Sequence, residues 1–278
     1  MNRNVRNVIL MIVGIAMIVI GAYGYFTVRA AQVERPAAVE PDWQLRFADE
    51  FDVAALDARK WTTCYHFGEV IDGQLRCALG DVPTGLNEPD NVTVADGAAR
   101  LEVARERREA LGKTYDYTFG MLSSFDTFTF THGYAEIRAK VPSGNGLWPA
   151  FWLMPASKAW PPEIDVFEYL GKDPNILHGT LHYSDEAAVH QQIGGEYKGD
   201  DLSKDFHVFA VKWTPGEIIW YIDGQRYHRA DKGVPDVPMY LLVTAGAGWP
   251  GSWGGEIDAT TPIPSYYVVD YVRVYGAP

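Results

Sequence analysis

From Trp43 to Pro278 the sequence is a succession of short segments in which apolar and polar residues alternate, separated by Gly, Pro, Asn and Asp. A β-strand turns successive side chains to opposite faces, so a period of two indicates strands that are buried on one face. This part of the sequence contains no long stretch with the 3.6-residue period of an amphipathic helix. Many short strands without such helices predict an all-β sandwich or jelly roll.

The clearest alternation runs from Tyr134 to Val141. It places Ala135 and Ile137 on one face, and Glu136 and Arg138 on the other. Further strands are predicted over residues 206–213, 218–222, 239–245 and 267–275, with an Asp-Gly turn at 223–224 that is typical of a hairpin.

A length of 278 residues accommodates one all-β domain with a sizeable core and a short additional segment. The formal net charge is -12 at pH 7, and the sequence has no basic patch. Nucleic acid is therefore excluded as an expected partner, whereas a neutral substrate is compatible with this charge.

The N-terminus carries an uncharged apolar run from Val8 to about Phe26, preceded by Arg3 and Arg6. This run is near the length that crosses a bilayer and longer than the apolar core of most cleavable signals. The basic residues predict a cytoplasmic N-terminus and an exported remainder, periplasmic or extracellular. We therefore predict a cytoplasmic tip and transmembrane helix in residues 1–30, a linker in 31–42 and the β domain in 43–278. The alternative is secretion after cleavage before Ala31.

Three carboxylates occur within one short stretch that favours extended chain, Glu163 to Glu168. A helix would scatter them around its axis. In a strand Glu163 and Asp165 share a face, but strict alternation turns Glu168 toward the core, where an unpaired carboxylate is unfavourable. One extra residue in a β-bulge near Val166 and Phe167 brings all three acids to one face.

Acids arranged in this way suit a glycosidase that retains anomeric configuration, because its two carboxyl groups lie about 5 Å apart. We assign Glu163 as nucleophile, Glu168 as general acid and base, and Asp165 as the residue that orients Glu163. Repulsion from Glu163 is expected to raise the pKa of Glu168 and keep it protonated. The alternatives for this pattern are a solvated face and a calcium ligand set.

The stretch Glu163 to Glu168 resembles the E-x-D-x-x-E signature of glycoside hydrolase family 16, in the bulged form associated with laminarinase-like β-1,3-glucanases. The resemblance also covers residues 47–52, 133–154 and 269–275. It implies a concanavalin-like β-jelly-roll of two antiparallel sheets and endo-acting, retaining hydrolysis of β-1,3 or mixed β-1,3/1,4 glucans, without a cofactor for catalysis. The alternatives are a depolymerase or transglycosylase of another β-glycan, such as a bacterial exopolysaccharide, and a non-catalytic carbohydrate-binding jelly roll.

A glycanase needs flat apolar platforms for sugar rings. Trp148 and Trp152 lie on one side of a predicted strand, and the alternative is that both belong to the core. Trp160, just before the acids, is expected to cap a subsite or wedge a loop. Resemblance to family strands that contact sugar adds Glu136 and Arg138, which are otherwise ordinary surface charges.

The resemblance also implies a histidine near the acid/base carboxylate, which we place at His182; the alternative is a core histidine. Asn91 is a weaker substrate-binding candidate. Glu50, Gly97 and Asp270 match places that hold a structural calcium in family members, and ordinary surface acids are the alternative.

The chain has two cysteines, Cys64 and Cys77. An exported domain favours a disulfide between them, and two separate thiols are the alternative.

Trp249 and Trp253, in a Gly-rich segment, are expected to form a further wall of the cleft. Thr244 stands where many family members have Asn.

Overall fold

The computed structural model describes residues 35–78 and 85–278. Within these ranges the chain forms twenty strands and one 3-10 turn, Pro89–Asn91. The strands are, in chain order, β1 (Gln44–Asp49), β2 (Glu69–Ile71), β3 (Gln74–Arg76), β4 (Leu86–Asn87), β5 (Val92–Ala95), β6 (Ala98–Ala104), β7 (Arg108–Ala110), β8 (Lys113–Tyr115), β9 (Thr118–Phe119), β10 (Met121–Ser123), β11 (Gly133–Lys140), β12 (Leu147–Pro155), β13 (Glu163–Tyr169), β14 (Ile176–Ser184), β15 (His190–Lys198), β16 (His207–Thr214), β17 (Glu217–Ile222), β18 (Gln225–Ala230), β19 (Met239–Ala247) and β20 (Ser265–Gly276).

Two large sheets account for most of these strands. The ten-stranded sheet runs in the order β18-β17-β16-β11-β20-β6-β9-β4, with β1 beside β20 and β5 beside β6. The six-stranded sheet has the order β10-β19-β12-β13-β14-β15. Among the described pairs only β4 and β9 are parallel, and the others are antiparallel. The predicted all-β sandwich is confirmed.

The core lies between the two large sheets. On β11 the predicted alternation is observed, since Ala135, Ile137 and Ala139 are fully buried in the main cluster. That cluster also contains Phe167 from the six-stranded sheet and Trp220 from the ten-stranded one. Apolar burial from both sheets is the main stabilising contribution, at about 25 cal/mol per Å².

The hairpin predicted at Asp223-Gly224 joins β17 and β18. Both residues have positive φ, 48° and 77°. This is the conformation of a two-residue turn whose twist matches that of the flanking strands.

The predicted membrane segment lies outside the described residues. A search of residues 35–78 and 85–278 finds no helix that is long and apolar enough to cross a membrane.

Candidate active site

Strand β13 contains one residue more than its neighbours can pair with. Asp165 lies opposite Thr180 of β14 and Glu168 lies opposite His178, so three steps along β13 match two along β14. The pairing of β13 with β12 shifts at the same place. The bulge predicted from the parity of the acids is therefore confirmed.

The bulge separates the side chains of β13 into two sets. Its apolar residues are fully buried between the sheets, namely Ile164, Val166 and Phe167. Its acids line a cleft of about 310 Å³ on the opposite face of the sheet, namely Glu163, Asp165 and Glu168. One face thus carries three carboxylates while the other completes the core.

Trp220 holds β13 in place from the opposite sheet. Its Nε1 donates a hydrogen bond of 2.7 Å to the backbone carbonyl oxygen of Asp165, where the bulge interrupts the strand pairing. Gly179 on β14 gives the indole room, because a Cβ at this position would lie 2.5 Å from Trp220 Cδ1. The bulge is therefore supported by a buried hydrogen bond across the core.

Each outer carboxylate accepts a hydrogen bond from an indole. Trp160 Nε1 donates to Glu163 Oε2 at 2.8 Å, and Trp148 Nε1 donates to Glu168 Oε1 at 3.0 Å. Asp165 lies between them and is only 2% exposed. Both outer groups are oriented by a neighbouring ring, while the central acid is enclosed.

Burial raises the pKa of all three acids. It raises the pKa of Glu168 to about 7; repulsion from Glu163 adds to this effect, and the Trp148 hydrogen bond opposes it. Burial, both neighbouring carboxylates and a hydrogen bond to Glu163 hold the pKa of Asp165 well above its ordinary value. For Glu163, burial raises the pKa against hydrogen bonds from Trp160 and Asp165. The predicted rise at Glu168 is present, although desolvation is a larger cause than the expected repulsion.

A sequence profile for glycosyl hydrolases family 16 matches residues 84–273, which include β13 and all the cleft-lining residues except Tyr65. The chain belongs to glycosyl hydrolase family 16. It is 34% identical over 266 residues to a β-glucanase of Rhodothermus marinus, covering 84% of this chain and 86% of that protein. It is 41% identical over 196 residues to the endo-1,3-1,4-beta-glycanase ExsH of Rhizobium meliloti (strain 1021), covering 70% of this chain and 41% of that protein.

A solved glucanase structure has the same fold. The catalytic domain of an endo-1,3-beta-glucanase (laminarinase) from Thermotoga petrophila RKU-1 superposes with a TM-score of 0.72 at 33% identity. The match covers 85% of this chain and 98% of that domain. The jelly-roll architecture implied by the sequence is thereby confirmed.

Tryptophans form one wall of the family 16 cleft. The ring of Trp148 stacks on Trp249 at 6.2 Å between centroids and meets Trp253 edge to face at 5.6 Å. Trp152 also lines the cleft, although it is 7% exposed and its Nε1 donates to Thr244 Oγ1 at 3.2 Å. Trp148 is half-buried and lines the cleft beside the exposed Trp249 and Trp253, as expected of a sugar platform, whereas Trp152 is both cleft floor and packed core.

His182 lies beside the catalytic acids, but opposite a different acid from the one predicted. It pairs across the sheet with Glu163, and its Nε2 lies 3.2 Å from Asp165 Oδ2. The residue opposite Glu168 is His178. The expected place beside Glu168 is therefore wrong, because the bulge changes which residues of β14 face the acids.

The ligand atoms of Glu163, Asp165 and His182 lie within 4.8 Å of one another. Among the described residues they are the one such cluster that could hold a metal ion. Within the cluster, His182 Nε2 lies 3.2 Å from Asp165 Oδ2. The other ring nitrogen of His182, Nδ1, lies 3.0 Å from His190 Nε2. Burial and the nearby His190 lower the pKa of His182, so its imidazole is neutral at pH 7.

Glu136 and Arg138 are not in the cleft. Their strand, β11, belongs to the ten-stranded sheet, and both side chains point away from the core on its outer face. Glu136 is buried with Oε1 3.7 Å from Arg273 Nη1, and Arg138 Nη1 donates to Asp270 Oδ2 at 2.8 Å. Their predicted contact with sugar is wrong, because alternation defines the face of a strand but not the sheet to which it belongs.

Asn91 also lies outside the cleft. It ends the 3-10 turn, is buried, and its Nδ2 donates to the carbonyl oxygen of Glu102 at 3.5 Å. The predicted substrate contact of Asn91 is wrong, because a different asparagine lines the cleft. Asn87 on β4 lines the cleft, as does Tyr65, and neither carries a periodic sequence signal.

Two of the three residues predicted to hold calcium accept hydrogen bonds from arginines. Both carboxylate oxygens of Glu50 accept hydrogen bonds from Arg273, at 2.7 and 2.8 Å. Asp270 accepts from Arg138, while Gly97 lies in the turn between β5 and β6 with φ 73°. A cation would have to compete with two guanidinium groups for these carboxylates.

The two cysteines form a disulfide. Cys64 and Cys77 are bonded, with their Cα atoms 5.8 Å apart. The predicted pairing is confirmed, and the bond closes the segment that carries Tyr65.

Proposed function

We propose that this chain is an endo-acting, retaining hydrolase of β-1,3 or mixed β-1,3/1,4 glucans. The observation that carries the proposal is the bulged strand β13, which presents Glu163 and Glu168 to an aromatic cleft with the pKa of Glu168 at about 7. The names of the relatives, β-glucanase, endo-1,3-1,4-beta-glycanase and laminarinase, support the substrate class and the internal mode of cleavage.

In the first step Glu163 attacks the anomeric carbon of the sugar at the cleavage point. A bond forms between its carboxylate oxygen and that carbon, while the bond to the glycosidic oxygen breaks. Glu168 donates its proton to the departing oxygen, which leaves as a hydroxyl group. Desolvation of Glu168 is essential here, because it keeps the proton in place near neutral pH.

In the second step the same residue works in reverse. Esterification removes the negative charge of Glu163, so its repulsion no longer raises the pKa of Glu168. Glu168 then takes a proton from water, whose oxygen attacks the anomeric carbon and releases Glu163. Two inversions return the product to the starting configuration.

Asp165 acts as a positioning residue. Burial and the two neighbouring carboxylates raise the pKa of Asp165 well above its ordinary value, which favours the protonated form, and the group hydrogen-bonds Glu163. A donated proton holds the nucleophile in one orientation and stabilises its ionised form. Trp160 Nε1 donates to Oε2 of the Glu163 carboxylate and assists this orientation.

Two variants test these roles. Glu163→Gln and Glu168→Gln should each abolish release of reducing ends, whereas the matched control Glu136→Gln changes a buried acid on the outer face of the other sheet and should retain activity. Normal turnover in either cleft variant would overturn the assignment. NMR of the first-formed product should show the β-anomer, and the α-anomer would exclude double displacement.

A substrate panel separates the alternatives. Laminarin, lichenan, a galactan and bacterial exopolysaccharides are each incubated with the protein, and released ends are measured. Release from the first two only supports the proposal, and release only from the others identifies a different β-glycan. Binding without release from any of them would make the domain a carbohydrate-binding module.

We also propose that residues 1–30 anchor the protein in a membrane, that 31–42 form a linker, and that 43–278 are exported to the periplasm or the extracellular space. The basic N-terminus and the apolar run support this arrangement. N-terminal sequencing of the mature protein decides between the anchor and a cleaved signal.

Calcium remains a sequence-based proposal for Glu50, Gly97 and Asp270; an unfolding temperature that is equal in calcium and in EDTA would exclude it.

A further inference from the structure

An aromatic path leads out of the cleft from Trp152. Tyr65, which lines the cleft, lies 6.0 Å from Trp152 between ring centroids. Phe67 stacks on Tyr65 at 5.0 Å with an interplanar angle of 12°. Tyr65 is buried, whereas Phe67 is 44% exposed. Phe67 thus covers Tyr65 and presents apolar ring surface to solvent.

The chain on both sides of Phe67 is held in place. His66 Nδ1 lies 3.0 Å from Tyr240 Oη, so the side chain before Phe67 is tied to β19. On the other side, a Cβ at Gly68 would lie 2.4 Å from Cys64 Sγ, so the backbone rests directly on the disulfide. The exposed ring therefore belongs to a supported segment and not to a free loop tip.

This segment packs on the same face of the six-stranded sheet as the catalytic acids. Cys64, Tyr65 and Cys77 form one cluster with residues of β10, β12 and β19 that lie on the same face of the sheet as Trp152, namely Met121, Ala150, Trp152, Met154, Tyr240 and Leu242. The acids lie on β13, and the strand order is β10-β19-β12-β13. At about 4.8 Å between neighbouring strands, β19, to which His66 is tied, lies roughly 10 Å from β13, farther than one sugar ring reaches.

We propose that Phe67 forms an outer sugar-binding subsite that selects long β-glucan chains over short ones. The inference rests on the function proposed above. A polysaccharide that leaves the acids across the sheet passes over Trp152 toward Tyr65, and the flat face of Phe67 would stack on the apolar face of a further pyranose ring. Aromatic side chains with a few polar groups are the usual lining of such sites.

Phe67→Ala and Phe67→Leu test the subsite. Leu keeps an apolar cover over Tyr65 but removes the flat ring, so both variants should raise KM for laminarin by about 2- to 10-fold relative to KM for a short laminari-oligosaccharide. Phe67→Trp should restore the wild-type ratio. Val70→Ala is the matched control, because Val70 is a 72% exposed apolar residue of the same disulfide-closed segment without a ring contact.

An unchanged ratio of the two KM values in Phe67→Leu would overturn the inference, as would an equal rise for short and long substrates. A shift of the ratio in Val70→Ala would also count against it, because it would indicate a general effect of the segment. Failure of the proposed function is seen separately, as absence of reducing ends from every β-glucan with the wild-type protein. Calorimetry of laminarin with Glu163→Gln, with and without Phe67→Leu, measures the subsite without turnover; equal affinities would exclude it.

Discussion

The hydrogen bond from Trp148 to Glu168 should set the upper pH limit of activity. The general acid must be protonated, so kcat/KM falls as pH rises through the pKa of Glu168, which is about 7. The indole N–H stabilises the ionised carboxylate and so lowers this pKa. Trp148→Phe removes the donor but keeps an aromatic ring, and it should move the alkaline limb to higher pH.

The size of the shift follows from the bond that is lost. A hydrogen bond to a charged group contributes about 1.5–3 kcal/mol, and each pH unit corresponds to about 1.4 kcal/mol. Glu168 retains some access to solvent, which compensates part of the loss. We therefore expect the midpoint of the alkaline limb to rise by about 1 pH unit, from about 7 to about 8.

The assay measures kcat/KM on soluble laminarin from about pH 4 to 10. This range covers the titration of ordinary carboxyl groups and of Glu168 with its raised pKa. Trp152→Phe is the matched control, since its N–H is donated to Thr244 and not to an acid. That variant should leave the alkaline midpoint in place even if KM changes. A midpoint in Trp148→Phe that stays near 7 or falls would refute the role given to this hydrogen bond.

Three further predictions concern the scaffold. Deleting Val166 removes the extra residue of the bulge and leaves Glu163, Asp165 and Glu168 at alternate positions of a regular strand, so a variant that folds by circular dichroism should keep all three acids on the cleft face and retain turnover; a folded variant without turnover would contradict the parity argument. Trp220→Phe loses the hydrogen bond to β13, so urea unfolding should show a loss of about 1–3 kcal/mol together with a lower kcat, and unchanged values would show that the bond is unimportant. Burial raises the pKa of Glu136 to about 7 from 4.5, so the folded state binds its proton more tightly and wild-type stability should fall between these pH values by on the order of 3 kcal/mol. Glu136→Gln should remove that fall, and equal pH dependence of both proteins would contradict it.

Local patterns in the sequence predicted local structure well. Parity alone required the bulge in β13, because Glu168 cannot share a face with Glu163 without it. The Asp-Gly pair at 223–224 likewise predicted its hairpin. In both cases the deciding interactions lie within a few residues of each other along the chain.

Errors arose where the outcome depended on the pairing of distant strands. Alternation correctly separated the faces of β11, but the position of that strand in the ten-stranded sheet places Glu136 and Arg138 far from the acids. His182 lies beside the acids but opposite Glu163 and not Glu168, because the register between β13 and β14 depends on the bulge. Tyr65 could not be found at all, since its place follows from a disulfide-closed segment that packs over the sheet.

The indole of Trp220 reaches the catalytic strand from behind, through the interior of the sandwich. Trp220, which supports the strand, and Gly179, which makes room for the indole, are hidden from any bound polysaccharide. Engineering that randomises only the cleft-lining positions would therefore leave untouched a support on which the placement of the acids depends. Libraries aimed at new substrates should include the inward-facing positions of β17 and β14, where a change of shape would be transmitted to the reacting groups as a displacement of the backbone.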